Sequence, residues 1–239
     1  MNRTSDKLLV ALDVSTADKA LELANALAGV VGGFKIGLEL FTAVGPSLIV
    51  DIRKLGGKVF LDLKLHDIPN TVAGASRCIT RLGVDMFNVH ADGGVAMMRA
   101  SMEAAKDEAE KNGIRRPKVI AVTVLTSLDR TDMERSLGAS LDPSDVVKRR
   151  ASMAMGAGLD GVVASAKEVP IIRQECGQDF LIVTPGIRPA WSDSDDQKRI
   201  TTPHDAIELG ASYLVVGRPI CHARSPVEAA CRIVKEMTG

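Results

Sequence analysis

The sequence predicts an α/β fold, a single closed (β/α)8 TIM barrel spanning residues 1–239. Three observations lead there. Short β-rich runs alternate with amphipathic helical stretches along the whole chain. The β-rich runs are almost continuously apolar, as parallel strands buried on both faces are. Eight such units fit the 239 residues, close to the roughly 250 typical of a closed barrel. An open doubly wound sheet is the structural alternative. Against it, no G-x-G-x-x-G follows the first run and no Pro/Ser-rich linker divides the chain.

The predicted strands are 8–13 (LLVALD), 33–37 (GFKIG), 58–64 (KVFLDLK), 86–91 (MFNVHA), 119–125 (VIAVTVL), 161–165 (GVVAS), 180–186 (FLIVTPG) and 213–217 (YLVVG). Between them, TADKALELANALA opens at a Thr N-cap and repeats Ala and Leu at helical spacing. PNTVAGASRCITRLG has Pro at its start and Gly at its end, the asymmetry expected of a helix. PSDVVKRRASMAMGAG and SPVEAACRIVKEM repeat the theme. Met97, Met98, Met102, Met153 and Met155 read as packing residues rather than a ligand box.

Composition narrows the function classes. The chain is 46% hydrophobic and 25% charged with zero formal net charge, which gives no general attraction to nucleic acid or anionic lipid. The basic clusters at 115–116 and 148–150 are isolated and read as solvated helix or loop ends. Cys78, Cys176, Cys221 and Cys231 show no C-x-x-C spacing, so a metal site or disulfide scaffold is not indicated. The first residues carry only a short apolar run broken by Asp13, neither a secretory signal nor a membrane span. A cytoplasmic protein with reduced thiols is the expectation.

In such barrels the chemistry sits at the C-terminal ends of the strands. Those ends carry Asp13, Lys35, Asp62 with Lys64 and Asp67, His90 with Asp92, Thr126 with Ser127, Arg188, and Arg218. Any one of them could be a cap or a solvated loop residue; together they ring one mouth. Lys35, Asp62 and Lys64 are the sharpest members. Residues 62 and 64 share a face if the strand alternates regularly, which places Asp62 between two lysines. The same pattern would also serve as a buried ion-pair network holding the barrel end together. TPGIRP after the seventh strand and VVGRPI at the end of the eighth form an expected anion site, with Arg188 and Arg218 as donors. The long polar segment WSDSDDQKRITTP between them reads as a lid or a surface loop.

These motifs, VALD, FKIGLELF, FLDLKLHDIPNTV, VHADGG, TVLTS, TPGIRP, DDQKR and VVGRPI in that order, resemble the orotidine 5′-monophosphate decarboxylase family, most closely its bacterial branch. The resemblance covers essentially the whole chain. It implies that Lys64 is the catalytic proton donor within an alternating array of Lys35, Asp62 and Lys64, completed by Asp67 reaching in from a second subunit of a homodimer. It further implies that Asp13 meets the ribose hydroxyls and that Thr126 and Ser127 lie where the pyrimidine is held. Ile68, Thr71 and Pro185 join the substrate contacts, and Arg188, Gln197, Arg218 and the backbone at Gly217 grip the phosphate. Two details depart from the family's wording. Leu65 stands where Phe is usual, and Asp195-Asp196-Gln197 replaces a more common Gly-Asp-Gln.

The implied chemistry needs no cofactor. Loss of CO₂ from C6 of the pyrimidine leaves charge on a carbon with no conventional electron sink, and no PLP or thiamine context is evident. A fixed ammonium can stabilise that carbanion and protonate it. Two other readings stay open at this point. One is a metal-dependent sugar-phosphate decarboxylase or aldolase of the same superfamily, which shares the D-x-K-x-x-D pattern but carries an acidic metal ligand where this chain has Lys35. The other is a non-catalytic barrel that binds a phosphate ligand.

Overall fold

A computed structural model describes residues 3–128, 130–137, 142–191 and 201–239. Eight strands, β1 (Leu8–Ala11), β2 (Gly33–Gly37), β3 (Val59–Leu65), β4 (Met86–His90), β5 (Lys118–Val122), β6 (Gly161–Val163), β7 (Leu181–Thr184) and β8 (Tyr213–Val216), lie in sequence order. All neighbours pair in parallel and β8 closes onto β1, so the sheet is a barrel and not an open sheet. No helix among the described residues is long and apolar enough to cross a membrane.

Local chemistry accounts for the helix ends. Thr16 caps the helix Ala17–Leu27 by accepting the Lys19 N–H at 3.4 Å. Asp142 and Ser225 do the same for Pro143–Gly156 and Pro226–Glu236, each with Pro in the first turn, where its missing N–H costs nothing. Pro69 opens the helix Pro69–Arg81, and Gly83 follows it with φ 73°, a left-handed exit that glycine makes without strain.

Alternation along the strands builds two apolar layers. Outward residues such as Val10, Phe34, Ile36, Leu61 and Phe87 pack against the helices. Inward residues Leu9, Ala11, Phe60, Met86, Ile120, Val183 and Val215 meet at the barrel axis as a plug. The charged mouth lies above that plug, at the C-terminal ends of the strands.

Four sequence expectations are corrected. Several strands stop short of their predicted ends; β5 ends at Val122, because the Thr123 carbonyl leaves the ladder to accept from Arg150 at 2.7 Å. Thr126 and Ser127 therefore sit in a turn. Arg150 is not a solvated helix end: it is largely buried, its guanidinium shared between Thr123 and Asp92. Arg116 is likewise engaged, its two terminal nitrogens each 2.7 Å from a different oxygen of Asp160, 44 residues away. Met97 and Met98 are fully buried, but Met155 is 41% exposed because it lies on the outer face of its helix.

Candidate active site

The centre of the site is built by an irregularity in β3. Leu61 pairs with Phe87 and Leu65 with Val89, so four residues of β3 advance against two of β4. The excess is taken up at Lys64, the only described non-glycine residue with positive φ, at 52°. That conformation costs about 1–2 kcal/mol in a residue bearing a Cβ. Lys64 and Asp62 do converge, as the sequence suggested, but through a bulge and not by plain alternation.

Asn88 holds the bulge in place. Its side-chain oxygen accepts the Lys64 backbone N–H at 2.8 Å, and its amide donates to Asp62 Oδ1 at 2.7 Å. It is 1% exposed. The sequence reading missed this residue, which sits inside the apolar run MFNVH. The available signal was a polar side chain at an inward position, two residues below His90.

The charges then fall into a chain. Lys64 Nζ lies 2.6 Å from Asp62 Oδ1, and Lys35 Nζ lies 3.6 Å from Asp62 Oδ2 and 3.3 Å from Asp13 Oδ1. The register Ala11↔Lys35 and Gly37↔Asp62 sets these three strands at the heights that make the contacts possible. Burial pushes the Asp62 carboxyl upward, but Lys35, Lys64 and Asn88 together outweigh it and hold the group below the usual carboxylate range. Removing either lysine would leave a buried carboxylate poorly compensated.

A cavity of about 250 Å³ opens over this array. Asp13, Lys35, Asp62, Lys64, Thr126, Pro185, Arg188, Gly217 and Arg218 all line it. A Cβ at Gly217 would stand 2.7 Å from Asp13 Oδ2, so a larger residue there would displace that carboxylate. Arg188 is 7% exposed, its backbone N–H bonded to the Thr201 carbonyl at 3.1 Å, so the two ends of the 188–201 segment are tied together. Beneath Asp13, burial first and the carboxylate next push the Cys221 thiol up to about 11, and it donates to the Ala11 carbonyl at 3.1 Å.

The remaining expected site residues lie elsewhere. Asp67 and Ile68, on the turn after β3, and Thr71, in the first turn of the helix Pro69–Arg81, are exposed and do not line the cavity of their own chain. The Asp67 carboxylate accepts the Ile68 N–H at 2.6 Å, and Ile68 is 66% exposed. Ser127 is exposed beside the cavity without lining it. Leu65 is half-buried and packs on the outer apolar layer. Gln197, Asp195 and Asp196 lie outside the described residues. A larger cavity of about 630 Å³ opens at the opposite end of the barrel, bridged by Lys118 Nζ and the Tyr213 hydroxyl at 2.9 Å. Of the quoted motifs only Phe60 reaches it, and none of the charged motif residues lines it.

What the upper mouth can do chemically follows from its parts. It offers an ionised acid between two ammonium groups, next to a pocket with two guanidinium groups on its far side. That is a site for an anionic molecule in which negative charge develops beside Lys64.

Comparison with known proteins identifies relatives of the chain. The profile of the family described as "Orotidine 5'-phosphate decarboxylase / HUMPS family" matches residues 6–233. The chain is 51% identical over 236 residues to the orotidine 5'-phosphate decarboxylase of Syntrophomonas wolfei, covering 98% of this chain and 99% of that one. It is 52% identical over 228 residues to that of Paramagnetospirillum magneticum, covering 95% and 97% respectively. The crystal structure of orotidine 5'-phosphate decarboxylase from Lactobacillus acidophilus superposes with a TM-score of 0.86 at 36% identity, over 97% of this chain and 99% of that one.

Proposed function

This chain belongs to the orotidine 5'-phosphate decarboxylase / HUMPS family, and on that footing we propose that it converts orotidine 5′-monophosphate to UMP in pyrimidine biosynthesis, with Lys64 delivering the proton. One barrel domain, residues 1–239, carries the activity. The observation that carries the reading is the Lys35–Asp62–Lys64 chain at the floor of a cavity whose other side holds Arg188 and Arg218.

The phosphate binds at Arg188, Arg218 and the Gly217 backbone, and the ribose hydroxyls meet Asp13. This places C6 of the pyrimidine over Lys64. When the C6–carboxylate bond breaks, its electron pair remains on C6 and CO₂ departs. The Lys64 ammonium lies beside the developing carbanion, stabilises it and transfers a proton to C6; the neutral amine regains a proton from solvent. Asp62 orients the Lys64 ammonium before the reaction. Phosphate contacts far from C6 contribute binding energy that holds the ring in register.

The position of Lys35 favours this chemistry over a metal-assisted one on a sugar phosphate. Its ammonium stands within 4 Å of both Asp13 and Asp62, where it pairs with the two carboxylates and would repel a divalent cation. The exposed Asp67, Ile68 and Thr71, absent from their own cavity, suit a homodimer in which each subunit completes its partner's site. Four free cysteines fit a cytoplasmic setting.

The test is direct: purified protein is mixed with orotidylate and the loss of its absorbance is followed, before and after exhaustive chelation. Turnover that survives chelation and disappears in Lys64→Ala supports the assignment. Turnover restored only by Mg²⁺, or near wild-type activity in Lys64→Ala, would overturn it.

A further inference from the structure

β4 turns three alternate residues inward. Met86 belongs to the apolar plug, and Asn88 holds Asp62 and the Lys64 backbone. The third, His90, faces the turn after β3, and the reaction as described above makes no use of it. Its ring is stacked on His66, with centroids 5.4 Å apart and planes 14° from parallel. His66 immediately precedes Asp67.

The surroundings of His90 select one protonation state. Its Nδ1 lies 3.3 Å from the Asp92 backbone nitrogen and 3.3 Å from Asp92 Oδ2. In the neutral Nε2–H tautomer Nδ1 accepts the Asp92 N–H with its lone pair, whereas a protonated Nδ1 would instead donate to Asp92 Oδ2. The neighbouring carboxylate does not need the imidazole as a cation, because Arg150 pairs with Asp92 and also donates to the Thr123 carbonyl at 2.7 Å. The charged and titratable groups facing His90 are Lys64 from β3, His66 from the turn after it, Asp92 from its own turn, and Arg150 from the helix Pro143–Gly156. Burial first, opposed by Asp92 and aided by His66, Arg150 and Lys64, keeps the imidazole below its ordinary range.

We propose that His90, clamped by Asp92 and Arg150, is a positioning residue for decarboxylation: its neutral ring fixes His66, and with it the turn that presents Asp67. The same Arg150 fixes Thr123, three residues before Thr126 at the cavity wall. The clamp thus ties the turn after β3 to the loop after β5. This rests on the reading that Asp67 completes the charge array, and goes beyond it in naming what holds Asp67 in place.

The experiment combines steady-state kinetics on orotidylate with ¹⁵N spectra of the histidine rings across a pH series, in the full-length protein. In the wild type, His90 is expected as the Nε2–H tautomer and to titrate below an exposed histidine. In Arg150→Met the Asp92 charge loses its partner, so His90 should titrate about one pH unit higher. The acid-side fall in kcat should move with it. His90→Leu should lower kcat by about tenfold or more while UMP affinity is kept. His90→Asn, whose amide oxygen can still accept the Asp92 N–H, should recover part of that loss. A purely structural contact would change the unfolding midpoint without moving the pH profile. The proposal is overturned if His90 titrates as an exposed histidine. It is equally overturned if His90→Leu keeps kcat within about twofold of wild type, or if the Arg150→Met ring titration shifts without its pH profile. Should His90→Leu fail to fold, the Arg150→Met comparison decides alone. Wild-type turnover with none of these changes sinks the positioning role only, whereas an inactive wild type sinks the functional reading beneath it.

Discussion

Replacing Asn88 by aspartate changes one atom's chemistry at the most constrained point of the site. The side chain keeps its shape, and one oxygen can still accept the Lys64 N–H, as the amide oxygen does at 2.8 Å. The other oxygen would face Asp62 Oδ1 across the 2.7 Å now spanned by an N–H donor. With charge centres about 4 Å apart and an effective dielectric near 20, two ionised carboxylates repel by about 4 kcal/mol. That corresponds to about three pKa units. Lys35 and Lys64 offset part of it, so the pair should share a proton up to a window above the ordinary carboxylate range. Below that window the introduced carboxyl donates to Asp62 as asparagine did; above it the bond becomes a repulsion. In the wild type the depressed Asp62 carboxyl contributes stability above the ordinary carboxylate pKa, and this is lost as pH falls through its lowered folded value. In Asn88→Asp the raised pKa of the pair reverses the sign, and stability is lost as pH rises. The assay is kcat on saturating orotidylate together with urea midpoints, both across the neutral range. We expect kcat to fall by about tenfold or more relative to wild type on the alkaline side, with the urea midpoint falling in parallel. Profiles that run parallel to wild type in both measurements would refute the role given to Asn88.

Lys64→Ala and Lys64→Gly should both abolish decarboxylation, yet the glycine variant should be more stable by about 0.5–1 kcal/mol, because only alanine keeps the left-handed strain at φ 52°. Urea titration of the pair decides it, and an alanine variant at least as stable as the glycine one would count against the strain. Arg218→Ala should lower kcat/KM for orotidylate by about 10–150-fold, the equivalent of a lost charged bond of about 1.5–3 kcal/mol. With orotidine, which lacks the phosphate, the variant and the wild type should be indistinguishable; an equal loss on both substrates would remove Arg218 from the phosphate grip. Mixing inactive Lys64→Ala with inactive Asp67→Ala should restore activity, since one site of each hybrid dimer carries neither defect. No recovery despite hybrids seen by native mass spectrometry would argue that each site is self-contained.

Much of the molecule was legible in its sequence because the governing rules are local. Thr16 announces a helix start by chemistry acting within three residues, and the eight apolar runs announce buried parallel strands. The meeting of Asp62 with Lys64 was also legible, although the backbone reaches it through an irregular stretch that no periodicity encodes. What escaped depends on partners distant in the chain. Arg116 and Asp160 are 44 residues apart, and Arg150 finds its acceptor at Thr123, 27 residues earlier. As isolated basic clusters, both arginines look solvated. Asn88 escaped for a related reason: one polar residue in an apolar strand looks like a flaw until the register places it opposite Asp62.

The apolar plug at the barrel axis has an electrical consequence. Leu9, Phe60, Met86, Ile120, Val183 and Val215 form a poorly polarisable floor directly beneath Lys35 and Lys64. Field lines from the charges above cannot spread downward into such a medium and are directed out through the mouth. Among the described residues, four cationic side chains line the upper cavity, Lys35, Lys64, Arg188 and Arg218, against two acids, Asp13 and Asp62. The described lining thus carries a positive excess on a chain whose formal net charge is zero. An approaching polyanion meets an attractive funnel at this one end of the barrel, and dissolved salt narrows its reach to about one Debye length, roughly 8 Å at physiological ionic strength.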